Sequence, residues 1–337
     1  MDRYARQTVL PELGPVRQAK LRQSTAVVIG CGALGSVSGE ILARAGLGNL
    51  ILIDRDLVEL TNLQRQMLYT ERDVEQRLPK AEAMRRHLLE INSEIQVTAV
   101  TADLNYRNAP ELLAGADVLL DGTDNYLARL LINDVALELE IPWVYGGALG
   151  TTGMVMPIIP GRTPCFRCMV PELPAAGQLD TCDLVGVLGG VTAAVASFQA
   201  TQAIHLLVDA ATVPLPLVEF NLWTGAWREL ALPADPACPA CRLGNRDFLQ
   251  GRHGREAIAL CGRDMVQVWP SDGSAPDFAA LSRRLAGLGD VEQTRFTLRF
   301  SPAHSEQSIT LFGDGRALIK GTNDPNLALS IYTRYLG

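Results

Sequence analysis

Short hydrophobic runs alternate with helical patterns through the N-terminal part of the chain. Residues 25–30 (TAVVIG), 50–54 (LILID) and 118–121 (VLLD) are apolar along almost their whole length, which is typical of strands buried on both faces of a parallel sheet. This alternation predicts a doubly wound α/β domain with a mostly parallel sheet. The other predicted elements are strands at 95–100 and 143–146 and helices at 36–45, 81–91 and 125–140.

One apolar stretch, residues 184–208, is much longer than the strands. Its length alone would allow a membrane span. The stretch contains Gln199, Gln202 and His205, and three glycines lie near its start. Because polar side chains are costly in lipid, we expect a helix that is buried in a protein core rather than a membrane span.

The C-terminal third of the chain has a different pattern. Residues 218–232 predict a pair of strands, and residues 244–254 are polar and glycine-rich, as is typical of a linker. We therefore expect a first domain of residues 1–245 and a small α+β domain of residues 255–337. The elements predicted in the second domain are strands near 257–261, 265–269, 294–300 and 307–312 and helices near 277–287 and 325–335.

Composition excludes some classes of partner. The chain has 337 residues, 47% of them hydrophobic, and a net charge of −7. An acidic protein is poorly suited to coat a nucleic acid or an anionic membrane surface, so we expect neither as a partner. The N-terminal sequence MDRYARQTVL lacks the apolar core of a secretory signal, and we expect a cytoplasmic protein.

Four of the seven cysteines form two C-x-x-C pairs, Cys165 with Cys168 and Cys238 with Cys241. Four thiolates give closed tetrahedral coordination of Zn²⁺, which is a structural rather than a catalytic site. The spacing therefore predicts a zinc site that ties the loop before the apolar helix to the end of the first domain. Two redox-active dithiols are the alternative interpretation.

A glycine-rich turn joins the first predicted strand to the first predicted helix. Gly30, Gly32 and Gly35 match G-x-G-x-x-G, with Ala33 between them. Glycines at these positions allow a tight turn and let backbone N–H groups approach a phosphate at the helix N-terminus. Asp54, at the end of the next strand, can bind ribose hydroxyls. These features predict a Rossmann-like site for an adenine nucleotide, and a NAD-dependent oxidoreductase would show the same pattern.

Polar residues elsewhere narrow the choice of nucleotide. A dehydrogenase has no need of several cations and a free carboxylate around one pocket, whereas a triphosphate with Mg²⁺ does. Such residues follow two of the strands and begin one helix: Asn62, Arg65, Gln66, Lys80, Asp124 and Asn125. They indicate ATP with Mg²⁺, although Asp124 could instead serve only as the cap of the helix that follows it.

Four motifs lie in a fixed order: R-Y-x-R-Q at 3–7, D-x-D-x-V-x-x-x-N-L-x-R-Q at 54–66, Pro-Lys at 79–80 and D-x-T-D-N at 121–125. In order and spacing, they resemble the ThiF/MoeB family of sulfur-carrier adenylyltransferases, relatives of ubiquitin-activating enzymes. The resemblance covers roughly residues 1–245. It implies an ATP-dependent enzyme that adenylates the C-terminal glycine carboxylate of a small ubiquitin-like sulfur-carrier protein, with release of pyrophosphate, for thiamine or molybdopterin sulfur transfer.

The resemblance also implies roles for single residues in a homodimer. Gln66 belongs to the matching motif and is expected in the nucleotide site. A carrier ending in Gly-Gly and a separate sulfur-donor protein are the implied partners. The other implied assignments are the ribose for Asp54, the phosphates for Asn62, Arg65 and Lys80, Mg²⁺ for Asp124 with Asn125 beside it, and the phosphates of the other subunit for Arg6.

Cys182 matches a family cysteine that in some members bonds to the activated carrier or takes part in sulfur transfer, and in others is dispensable. A thiolate could act as the nucleophile in such a step.

Two departures from the family pattern, Ala33 for a glycine and Gly190 for a proline, keep open a non-catalytic carrier-binding protein. A NAD-dependent oxidoreductase is the other alternative. For the domain at residues 255–337 we expect a role in docking the carrier or a partner.

Overall fold

A computed structural model describes residues 3–172, 185–214, 216–253, 257–260, 264–269 and 275–336. Contacts within the chain divide it into two compact units, Met1–His253 and Gly254–Gly337. The nucleotide motifs and the two C-x-x-C pairs lie in the first unit. Each unit has its own hydrophobic core.

The first unit is built on an eight-stranded sheet in the order β3-β2-β1-β4-β5-β6-β7-β8. Strands β1 to β5 run parallel, and β6 to β8 continue the sheet in antiparallel pairing. The predicted doubly wound, mostly parallel fold is confirmed. The strands are β1 Thr25–Ile29, β2 Asn49–Ile53, β3 Gln96–Val100, β4 Val118–Asp121, β5 Trp143–Leu149, β6 Thr152–Ile158, β7 Leu217–Asn221 and β8 Ala226–Leu230.

Helices flank this sheet and connect its parallel strands. The apolar runs of β1 and β4 are buried throughout, apart from the partly exposed Thr25, because both faces of the sheet are covered. The helices are α1 Ala5–Thr8, α2 Gly14–Leu21, α3 Gly35–Ala45, α4 Glu71–Glu75, α5 Lys80–Ile91, α6 Ala109–Leu113, α7 Tyr126–Glu138, α8 Phe166–Met169 and α9 Gly189–Asp209.

The long apolar helix α9 begins at Gly189, five residues later than its hydrophobic pattern predicted. It is long and apolar enough to cross a membrane by length and composition, and half of the most apolar window is buried inside the protein. At its centre the fully buried Gln199 donates hydrogen bonds to the carbonyl oxygens of Asp121, at 2.7 Å, and Val144, at 3.1 Å. These bonds fix the helix against the sheet as a core element of the first unit.

The hydrophobic pattern did not predict β6, which pairs antiparallel with β5. Gly153 and Pro157 within β6 weaken its strand signal. Phe220 and Val195 crowd Gly153 so closely that a Cβ there would lie 2.6 Å from each. Tertiary packing therefore determines this strand, and local propensity does not.

The second unit contains a six-stranded antiparallel sheet in the order β11-β12-β13-β14-β10-β9. Strands β11 and β14 were not predicted as separate strands. The elements are β9 Ala257–Leu260, β10 Met265–Val268, α10 Phe278–Leu285, β11 Gly289–Gln293, β12 Thr297–Pro302, β13 Ser308–Phe312, β14 Ala317–Lys320 and α11 Pro325–Tyr335.

Candidate nucleotide site and cysteine cluster

The turn after β1 touches the turn after β4 backbone to backbone. Gly30 has φ +87°, and a Cβ there would lie 2.8 Å from the carbonyl of Gly122. A Cβ on Gly35 would lie 1.8 Å from the oxygen of Gly30, so the start of α3 also packs on this turn. Since β1 is the strand at which the connections reverse direction across the sheet, these glycines form the crevice where such folds bind ligands.

Two buried side chains hold the peptide groups of Cys31 inside this turn. Asp54 accepts a hydrogen bond from the Cys31 N–H at 2.7 Å, and the Tyr69 hydroxyl donates to the Cys31 carbonyl at 2.7 Å. The same hydroxyl lies 3.2 Å from the carbonyl of Lys80. Burial raises the pKa of the Asp54 carboxyl, and the nearby Lys80 ammonium opposes that rise. Tyr69, which no sequence motif indicated, thus links the turn to the start of α5.

Ala33 is tolerated in this turn. It is partly exposed, and its φ is not positive, unlike that of Gly30. A methyl group therefore introduces no backbone strain at this position.

We expect Ala33→Gly to change the Kd of a bound nucleotide by less than about threefold, because the backbone at residue 33 does not need a glycine. Gly35→Ala should abolish nucleotide binding, since its Cβ would overlap the oxygen of Gly30. Fluorescence titration with a nucleotide analogue measures both effects. A large gain in affinity for Ala33→Gly would show that the alanine impairs the turn.

Lys80 begins α5, and its side chain is almost completely buried beside two carboxylates. Its Nζ lies 3.1 Å from the carboxylate of Asp56. Burial by itself lowers the pKa of Lys80, but Asp56 and Asp54 outweigh that effect and the pKa is raised. The lysine therefore stays protonated at neutral pH and can neutralise a phosphate. Asp56, which lies within the sequence motif but was not assigned a role, is its counter-ion.

Gln66 lies close to the glycine turn. Its Nε2 would be 3.8 Å from a Cβ on Gly32, and its Oε1 is buried without a hydrogen-bond partner. Buried amide oxygens normally have a partner, so a donor group of a ligand or a water molecule would complete the hydrogen bonding of this atom. Asn62 is buried too, and its Oδ1 accepts from the N–H of Glu59 at 3.1 Å. The guanidinium of Arg65 instead contacts the carbonyl of Thr61 at 3.3 Å, at the surface.

The structure distinguishes the roles of Asp124 and Asn125. Asn125 caps α7, since its Oδ1 accepts from the N–H of Ala128 at 3.0 Å. Asp124 is exposed and is not the helix cap, so the alternative interpretation of Asp124 is wrong. Its carboxylate is close enough to interact electrostatically with Lys80 and Arg129. It is therefore available to a cation at the mouth of the crevice.

Arg129, one turn into α7, forms a buried ion pair that the sequence did not reveal. Its Nε lies 2.9 Å from the carboxylate of Asp121, the last residue of β4. The other oxygen of Asp121 accepts from the N–H of Thr123 at 2.9 Å and from its hydroxyl at 2.7 Å. A charged residue inside an otherwise apolar buried strand was the available signal, because such a charge requires a partner.

The four cysteines of the C-x-x-C pairs meet in one cluster. Cys165 and Cys238 have their sulfurs 3.6 Å apart, as do Cys168 and Cys241, and all four sulfurs lie within 4.8 Å of one another. Four thiolates at about 2.3 Å from Zn²⁺ would be about 3.8 Å apart in a tetrahedron, which this cluster fits. Burial, followed by the neighbouring thiols, raises the pKa of Cys165, so a bound cation would favour ionisation of that thiol. Asn133 supports the cluster by accepting from the N–H of Phe166 at 2.8 Å.

One predicted catalytic residue, Arg6, does not lie in this crevice. Arg6 is exposed on α1. The neighbouring residue, Gln7, donates a hydrogen bond at 2.8 Å to the carbonyl of Ala45, which is the last residue of α3. The glycine turn lies at the opposite end of that helix, about 16 Å away for 11 residues. Cys182 lies outside the described residues.

The fold and the crevice define a Rossmann-like nucleotide-binding protein in which a buried lysine and an exposed carboxylate lie near the glycine turn. Residues 4–240 match the model of the ThiF family, and the chain belongs to that family.

Individual relatives agree with this assignment. The chain is 40% identical over 337 residues to a protein of Bacillus subtilis (strain 168) named sulfur carrier protein ThiS adenylyltransferase, with 99% of each chain covered. It is 35% identical over 261 residues to the SAMP-activating enzyme E1 of Haloferax volcanii, which covers 77% of this chain and 96% of that one. A crystal structure of E. coli MccB with ATP superposes with a TM-score of 0.62 at 25% identity and covers 72% and 74% of the two chains.

Proposed function

We propose that this protein adenylates the C-terminal glycine carboxylate of a small ubiquitin-like sulfur-carrier protein at the expense of ATP. The observation that carries the proposal is the crevice itself, where Lys80 and Asp124 flank a glycine turn that Asp54 holds in place. The full-length similarity to a named ThiS adenylyltransferase supports the identity of the substrate class.

In the proposed reaction, a carboxylate oxygen of the carrier attacks the α-phosphorus of ATP. The bond to the bridging oxygen of the β-phosphate breaks, and pyrophosphate leaves with that electron pair. The protein needs no covalent participation in this step, since positioning and charge neutralisation account for most catalysis of this kind. Lys80 neutralises phosphate charge, Asp54 fixes the turn and binds the ribose, and Asn62, Arg65 and Gln66 contact the phosphates.

Asp124 would hold Mg²⁺, with Asn125 beside it. When bound, the ion neutralises charge on the phosphate oxygens and on the departing pyrophosphate. The exposed carboxylate of Asp124 is an oxygen ligand of the type that Mg²⁺ and its coordinated waters require. Arg55, whose Nη1 lies 2.9 Å from Asp103, adds a further fixed cation near the crevice.

Arg6 can act only on a second nucleotide site, because it lies at the far end of α3 from the glycine turn of its own chain. We therefore propose a homodimer in which each Arg6 reaches the phosphates bound by the partner subunit. The exposed apolar residues Val9 and Val16 near α1 and α2 are consistent with a protein surface that is covered in such a dimer.

We propose that Cys165, Cys168, Cys238 and Cys241 hold a structural Zn²⁺, and that Cys182 acts after adenylation, in sulfur transfer. A separate sulfur-donor protein would supply the sulfur. We expect Cys182→Ala to keep the exchange of labelled pyrophosphate into ATP and to lose thiocarboxylate formation on the carrier. That result would show that Cys182 acts in a step after adenylation. A loss of exchange in that variant would place the thiol in the adenylation step itself.

For the second unit we propose a role in docking the carrier or a partner. We expect a chain that ends at His253, the last residue of the first unit, to bind the carrier at least tenfold more weakly, because a recognition surface is removed. Its KM for ATP should be unchanged, since the crevice lies within the first unit. Surface plasmon resonance with immobilised carrier measures the affinity for the carrier. The kinetics of pyrophosphate exchange into ATP measure the KM for ATP. Carrier binding equal to that of the full chain would contradict the docking role.

Exchange of labelled pyrophosphate into ATP tests the adenylation proposal. Exchange that depends on a carrier ending in Gly-Gly supports it. A NAD-dependent oxidoreductase would instead quench NADH fluorescence on titration and show no exchange, and a carrier-binding protein without turnover would bind the carrier and show none.

A further inference from the structure

Strands β4 and β5 separate toward the edge of the sheet that carries the nucleotide crevice. Their paired residues are Leu119 with Trp143 and Leu120 with Val144. The backbone carbonyls that follow these two paired positions cannot all receive hydrogen bonds from the neighbouring strand. They need other donors, since a buried carbonyl without a partner is costly. Side chains from two helices provide those donors.

Gln199 of α9 and Arg129 of α7 occupy the gap between the two strands. Gln199 donates to the carbonyls of Asp121 and Val144, and Arg129 Nη2 donates to the carbonyl of Gly146 at 3.0 Å. A Cβ on Gly146 would lie 2.4 Å from the Gln199 amide, so the strand has been shaped around that side chain. The separation of the strands is thus fixed by two specific polar side chains.

Arg129 also controls the turn that leads to Asp124. Its Nε lies 2.9 Å from Asp121, before the turn, and its Nη2 donates at 2.7 Å to the carbonyl of Thr123, within the turn. The guanidinium also contacts the rings of Tyr126 and Tyr145, at 5.6 and 5.2 Å from their centroids. Only 7% of the residue is exposed, so its planar donors are held in one orientation.

We propose that Arg129 is a positioning residue that fixes the turn between β4 and α7 so that the Asp124 carboxylate is presented to Mg²⁺ in the crevice. This inference rests on the proposed function, because it assigns the metal to Asp124. Arg129 does not touch the nucleotide in this role. It contributes by fixing the position of the Asp124 carboxylate, five residues earlier in the chain.

The variant Arg129→Lys tests this role, because lysine keeps the charge but cannot donate to Asp121, Thr123 and Gly146 in the same plane. We expect the Mg²⁺ concentration for half-maximal ATP binding to rise on the order of tenfold or more, as the loss of one charge-assisted hydrogen bond implies. The affinity for ATP in EDTA should stay unchanged. Isothermal titration calorimetry at a series of Mg²⁺ concentrations measures both quantities.

Arg167→Lys is the matched control. Arg167 is also almost completely buried, with its Nη1 3.1 Å from Asp247 and its guanidinium 5.4 Å from the ring centroid of Phe248. We expect Arg167→Lys to lower the unfolding midpoint about as much as Arg129→Lys does. The Mg²⁺ dependence of ATP binding should stay as in the wild type. Thr123→Val, which removes the hydroxyl donor to Asp121, loosens the same turn without a change at Arg129, and we expect a smaller shift in the same direction.

The outcomes separate the two proposals. Wild-type protein whose ATP binding does not depend on Mg²⁺ overturns the metal assignment and with it this role of Arg129. If the wild type shows the dependence and both turn variants keep it unchanged, only the role of Arg129 is overturned. The same holds if Arg129→Lys weakens ATP binding equally with and without metal, because that result describes a general structural role.

Discussion

The variant Asp124→Asn should lose pyrophosphate exchange by a factor on the order of 10³, because the amide cannot supply the negative charge that binds the metal. Its fold should be unaffected. Asp124 is exposed and is not the cap of α7, and substitutions at such surface positions change stability by about 0.5 kcal/mol or less. Carrier-dependent exchange at saturating ATP, together with a thermal unfolding curve, measures both parts of the prediction.

Asp117→Asn is the control for this substitution. Asp117 is also exposed and lies just before β4, at the opposite end of the strand, where its carboxylate accepts from the N–H of Thr25 at 2.8 Å. We expect Asp117→Asn to keep wild-type exchange. Equal activity of the two variants would remove Asp124 from the metal site, and an equal loss in both would indicate a nonspecific effect of charge at this sheet.

The second large effect concerns the cysteine cluster. Cys238→Ser should abolish the binding of one Zn²⁺ per chain and lower the unfolding midpoint by on the order of 10 °C, since the binding energy of a structural metal is folding energy. The cluster joins α8 to the segment after β8, two parts of the chain that are far from each other in sequence. Atomic absorption on purified protein and calorimetric unfolding measure the two effects.

Cys31→Ala separates metal loss from the loss of any buried cysteine. Cys31 is fully buried in the glycine turn and lies outside the cluster. This variant should retain one Zn²⁺ per chain. If metal-free wild-type protein unfolds at the same temperature as the metal-bound form, or if the four cysteines form disulfides under native conditions, the structural zinc site is refuted.

Strands β1 and β4 could be predicted because they are buried on both faces and therefore leave uninterrupted apolar runs. The glycine turn could be predicted for a similar reason, since its spacing is imposed by contacts between backbones at Gly30, Gly35 and Gly122. Strand β6 could not, because Gly153 and Pro157 lower its intrinsic preference and only its neighbours hold it in the sheet.

Parts of the candidate site depend on geometry that a sequence does not carry. Asp124 and Asn125 are both good helix caps by residue type, and the structure shows that Asn125 takes the role. Arg129 could be read from the sequence as an ordinary polar position on α7. Its importance is visible only when its donors are seen to reach Asp121, Thr123 and Gly146.

In the proposed reaction the protein transfers the adenylyl group of ATP to the terminal glycine carboxylate of a carrier protein. The most direct measurement is exchange of labelled pyrophosphate into ATP with two forms of the same carrier, one with a free C-terminal Gly-Gly and one with its terminal carboxylate amidated. We predict rapid exchange with the free carboxylate and none with the amide. Equal exchange with both forms, or none with any carrier ending in Gly-Gly, would contradict the claim.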